Sequence, residues 1–68
     1  MEVYLKEFRQ KRQLTQKEAA ESIGIDQRQW SRYEAGKNEF PIRYLKELCI
    51  KHKVAADELL GLNIDIQK

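Results

Sequence analysis

Apolar residues recur along most of the chain three and four positions apart, the spacing of one helical face, and alternate with polar ones only in the last few residues. The pattern predicts a run of short helices. In the first, Leu5, Phe8, Arg9 and Arg12 follow the i, i+3, i+4, i+7 rule. This stripe faces the core, so Arg9 requires a buried acidic partner. The segment ends near Gln13, because Leu14-Thr15-Gln16-Lys17-Glu18 has the form of a capping box, with Leu14 and Ala19 as its hydrophobic staple.

A second helix is predicted from Gln16 to Ile23, with Ala19, Ala20 and Ile23 inward and Gly24 as a left-handed stop. Asp26 then offers another N-cap, with Gln29 three residues on and Ile25 placed against Trp30. The third helix runs from Gln27 to Ala35 and closes at Gly36. Two short helices joined by a tight turn, with small Ala19 and Ala20 allowing close approach, have helix-turn-helix geometry. Pro41 suits the first position of a fourth helix carrying Tyr44, Leu45, Leu48, Cys49 and His52 on one stripe. A last helix, about Ala56 to Leu60, stops at Gly61. The fold class expected is all-α, a single five-helix domain over 1–62, with a tail over 63–68 that is either flexible or engaged in dimer contact.

Charge and composition narrow the chemistry without naming it. The chain has 68 residues, with 13 Lys and Arg against 11 Asp and Glu, and the whole excess lies in residues 1–37. That is weak support for a polyanionic partner. No stretch has the length of a membrane span or the form of a signal peptide, so a cytosolic location is expected. One cysteine and one histidine cannot assemble a four-ligand zinc site, and neither metal nor cofactor is expected. Cys49 and His52 read as core and half-buried helix-end residues. With no Gly-rich phosphate loop and no nucleophile-base spacing, the chain is not expected to be an enzyme.

The third helix carries the chemistry. At about 100° per residue, Trp30, Tyr33 and Glu34 share one side. Arg28, Ser31 and Arg32 occupy the other, flanked by Gln27 and Gln29. Arg pairs bidentately with guanine and Gln with adenine in the major groove of B-DNA, which admits one α-helix. Gln27, Arg28, Gln29, Ser31 and Arg32 are therefore candidate base contacts. Thr15, Gln16 and Lys17, at the start of the second helix, are candidate phosphate contacts. Arg12, Lys37 and Arg43 add basic groups able to displace counterions.

The stretch from Leu14 to Asp26, Leu-Thr-Gln-Lys-Glu-Ala-Ala-Glu-Ser-Ile-Gly-Ile-Asp, is followed by Trp30-Ser31-Arg32-Tyr33-Glu34-Ala35-Gly36-Lys37. Together they resemble the helix-turn-helix of phage repressor and Cro-type (XRE) regulators, and the similarity continues from Pro41 to Leu60. The resemblance implies a lambda-repressor-like domain with helices two and three as the motif. It implies that Gln16 contacts phosphate and braces Gln27, that Gln27, Arg28 and Arg32 read bases, and that Lys37 and Arg43 hold the backbone. It also implies an ion pair between Arg9 and Glu34. Departures are Ala19 and Trp30, which exchange volume, His52 for a common Leu, and Ala55 for a common capping Ser.

The function expected on this reading is sequence-specific binding of double-stranded DNA by a transcriptional regulator, a repressor, acting as a homodimer on a palindromic operator. Leu59, Leu60, Leu62, Ile64 and Ile66 are candidates for the pairing surface. The alternative is a protein-interaction module, such as the antitoxin of a toxin-antitoxin pair or an adaptor, in which the tail and not the third helix carries the function.

Overall fold

Caps and left-handed residues divide the chain into its helices. A computed structural model describes residues 3–61, in which α1 spans Leu5–Lys11, α2 Gln16–Ser22, α3 Gln27–Glu34, α4 Ile42–His52 and α5 Ala56–Leu60. The described residues contain no strand. At the start of α2, Thr15 Oγ1 accepts from the Glu18 amide at 3.0 Å and Glu18 Oε1 accepts from the Thr15 amide at 2.9 Å, a complete capping box. Asp26 Oδ1 caps α3 by accepting from the Gln29 amide at 2.8 Å. Each of these caps stabilises its helix by about 1 kcal/mol.

Between them Ile23 ends α2 and Gly24 turns the chain with φ +78°. In that left-handed region an L side chain costs roughly 1–2 kcal/mol, which glycine avoids. Two other helix ends use the same conformation without glycine, at Gln13 (φ 57°) and Lys53 (φ 54°). Pro41 is the N-cap of α4 and not its first helical residue; its extended ψ of 148° lets its carbonyl accept from the Leu45 amide at 3.1 Å.

The inward residues form one core. Leu5 and Phe8 of α1, Ala19 and Ala20 of α2, Trp30 of α3, Leu48 of α4 and Leu59 of α5 are all buried. The absence of bulk at Ala19 and Ala20 lets α3 lie directly on α2. Behind α3, Phe40 stands edge-on to Trp30 and to Tyr33, with ring centroids 6.2 and 5.1 Å away. Such pairs add about 0.5–1.5 kcal/mol beyond their buried area. Phe40, in the connection ahead of α4, is thus a core residue.

The start and end of the described chain close on each other. The Tyr4 amide donates to the Leu59 carbonyl at 2.7 Å, and a Cβ on Gly61 would meet the Tyr4 ring at 2.8 Å. Leu59 is fully buried, which removes it from the candidate pairing surface, and Leu60 is half-buried. The tail, 63–68, and Leu62, Ile64 and Ile66 lie outside the described residues.

Candidate nucleic-acid interface

The exposed side of α3 follows from the burial of its back. Trp30 points into the core, so residues a half-turn away point out, and Gln27, Arg28, Gln29, Ser31 and Arg32 are all exposed. Among the described residues, the side chains of Gln27, Arg28 and Arg32 have no hydrogen-bond or ion-pair partner. Arg28 and Ser31 form a crest between two depressions. One is lined also by Gln16, Asp26 and Gln27, the other by Arg32, Ala35 and Lys37. The second gathers three cationic side chains and no carboxylate, the chemistry of an anion site. A further cavity, behind α3 and lined in part by Tyr33, Glu34, Glu39 and Phe40, has no cationic side chain among its described lining residues.

The phosphate candidates are placed unevenly. Lys17, Lys37 and Arg43 are exposed, the last with its guanidinium 4.8 Å from the Tyr44 ring centroid. Thr15 is exposed, and because its oxygen accepts in the capping box its hydroxyl proton is still available. Arg12 is a correction. Its guanidinium bonds Glu58 at 3.3 Å and lies 4.6 Å over the Phe8 ring, so it ties α1 to α5 instead of reaching outward. Gln16 is another. Its amide nitrogen donates to Glu34 Oε1 at 3.1 Å and does not brace Gln27, since a charged carboxylate is a stronger acceptor than a neutral amide.

Glu34 is the hub of the motif. Arg9 Nε donates to its Oε2 at 2.6 Å and Arg9 Nη2 to its Oε1 at 3.4 Å, while Trp30 Nε1 donates to Oε2 at 2.6 Å. Arg9 Nη1 continues to the Leu14 carbonyl at 3.0 Å, just ahead of the capping box. One carboxylate therefore joins α1, α2 and α3. The side chains of Arg9 and Glu34 are 17% and 8% exposed, so the pair is largely withdrawn from solvent. Sequence reasoning missed the convergence of Trp30 and Gln16 on this group. The available signal was the i, i+4 spacing of Trp30 and Glu34 on the back of α3.

Two titrating groups make the fold acid-sensitive. Burial alone would raise the Glu34 pKa, but the hydrogen bonds from Arg9, Trp30 and Gln16 and the Arg9 charge outweigh it and hold the carboxyl below its ordinary value of 4.5. His52 is shifted below its ordinary 6.5, first by burial and then by the Arg12 and Lys51 charges. It stands edge-on to Phe8 at 5.1 Å. Ser22 Oγ spends its proton on the Ala19 carbonyl at 2.7 Å, so the 3.0 Å contact with His52 is donated by Nε2.

For both groups the unfolded chain takes up protons before the folded one, and stability is lost as the pH falls. The loss begins as the pH drops below 6.5, where His52 titrates in the unfolded chain, and continues below 4.5 and through the folded pKa of Glu34. Urea midpoints should decline on this course, and a midpoint constant from about pH 7 to about pH 3 would contradict it.

A short Ala-rich helix carrying a second, capped helix with an unpaired polar face defines a helix-turn-helix protein. The family model described as "Helix-turn-helix domain" matches residues 3–62, and the chain belongs to that family. No curated protein and no solved structure gives a significant match. Membership makes DNA the partner class, since domains of this kind bind DNA through the second helix of the motif. Among the described residues, no helix is long and apolar enough to cross a membrane.

Proposed function

We propose that this chain is a sequence-specific transcriptional regulator of the phage-repressor type, a repressor that works in the cytosol without catalysing a reaction. The reading rests on one observation: Gln27, Arg28 and Arg32 stand exposed and, among the described residues, without hydrogen-bond or ion-pair partners, on a helix whose back is fixed by Trp30 and Glu34. In the major groove Arg28 and Arg32 would take guanine and Gln27 adenine, with Gln29 and Ser31 beside them. Thr15, Gln16 and Lys17 on one flank and Lys37 and Arg43 on the other would hold phosphates.

One short helix reads few base pairs. Two copies on a palindromic operator would place their recognition helices about one turn, ~34 Å, apart and double the contacts. With Leu59 in the core, the pairing surface must come from elsewhere.

Selection of bound sequences from a random duplex pool tests the proposal. It should enrich a two-fold symmetric motif. Affinity for that motif should fall steeply with salt, with a log–log slope of about −3 per subunit from the three cationic phosphate contacts, Lys17, Lys37 and Arg43. No enriched sequence, or an affinity indifferent to salt, would reject the reading.

A further inference from the structure

Trp30 is fully buried, yet its indole N–H is given to Glu34 Oε2 at 2.6 Å and not to a backbone carbonyl. The other oxygen of that carboxylate accepts from Gln16 Nε2 at 3.1 Å. A carboxylate offers acceptors only, so the Gln16 amide must meet it nitrogen-first. This fixes which end of the amide faces Glu34 and leaves the second N–H free of that carboxylate oxygen. A phosphate also only accepts, so the second N–H is the group able to bond one. Holding a glutamine in one rotamer removes from binding the entropy its ordering would otherwise cost.

Resting on the DNA-binding reading above, we propose that Trp30 and Glu34 are positioning residues for the Gln16–phosphate contact. The indole N–H and Arg9 lock the carboxylate in the rotation that aims the second Gln16 N–H at the DNA backbone. Neither Trp30 nor Glu34 touches DNA. Because hydrogen bonds in a chain polarise one another, a phosphate bound at Gln16 is felt at the indole.

The chain has a single tryptophan, so one indole N–H resonance reports on the device. It is recorded for the full chain and for Gln16→Ala, with and without a saturating random-sequence duplex, alongside the affinity of each protein at one salt concentration. Gln16→Ala should bind about ten-fold more weakly, by a similar factor on every duplex. The indole resonance of the unsubstituted chain should move when DNA is added, and that of Gln16→Ala should stay. Trp30→Phe keeps an aromatic ring and loses the N–H; it should also lose about ten-fold, and the double variant should lose no more than either single one.

An indole resonance that ignores DNA, one that moves equally in Gln16→Ala, or losses that add in the double variant would overturn the inference. Should Trp30→Phe not fold, the indole comparison decides by itself. A chain that binds no duplex at all overturns the DNA-binding reading and this inference with it, whereas binding with additive losses overturns the inference alone.

Discussion

Replacing Arg28 and Arg32 together by Ala is expected to weaken binding to the selected duplex by a factor of roughly 30 to 10⁴. Each bidentate base contact is worth about 1–3 kcal/mol, and each 1.4 kcal/mol is a factor of ten. Both residues are exposed and, among the described residues, make no hydrogen bond or ion pair. Their loss should therefore shift the melting temperature by no more than about 8 °C. The discrimination between operator and random duplex should shrink as well, because base contacts and not only charge are lost. Unaltered duplex binding by a folded double variant would favour the protein-interaction reading, in which α3 is a solvated face.

The second large effect is on the fold. Glu34→Ala should destabilise the domain by about 3–5 kcal/mol, because it strands the partly buried Arg9 guanidinium. It also leaves the Trp30 indole and the Gln16 amide without their acceptor. A chain of this size has a total stability of about 3–10 kcal/mol, so the melting temperature should fall by about 12 °C or more. Arg9→Ala should cost less, since Glu34 would keep two neutral donors. Thermal unfolding followed by circular dichroism measures both. If neither substitution moved the transition, the hub would be a surface contact and the motif would be held by apolar packing alone.

Local signals carried most of the architecture. The capping box at Thr15, the cap at Asp26 and the glycines at 24, 36 and 61 can be read in short windows, because a cap or a left-handed turn constrains residues next to it. The end near Gln13 is legible only through the capping box after it, and the one at Lys53 has no such neighbour; neither residue type announces the left-handed conformation it adopts. Phe40 has no helical neighbours to give it a periodicity, and its burial against Trp30 and Tyr33 appears only once α4 is docked.

The site divides in the same way. Helical geometry alone turns Arg28 and Arg32 away from Trp30, with Gln29 and Ser31 at the sides. The partner of Arg12 lies 46 residues away at Glu58, and that of Gln16 18 residues away at Glu34. Arg9, on the core stripe, announces its need for a partner although Glu34 is 25 residues away, whereas Arg12 and Gln16 sit where solvent could serve them equally well. Charge points Arg12 outward and its place at the start of α2 points Gln16 outward; the fold turns the Arg12 guanidinium to Glu58 and one Gln16 N–H to Glu34.

The most direct test of α3 as the reading helix is to titrate the labelled full chain with the selected duplex and follow the backbone amides and the Arg and Gln side-chain N–H groups by NMR. The account predicts that the largest shifts fall on Gln27, Arg28, Gln29, Ser31 and Arg32, with smaller ones at Gln16, Lys17 and Lys37. Saturation with those signals unmoved, or with shifts centred on α4 and α5, would contradict it.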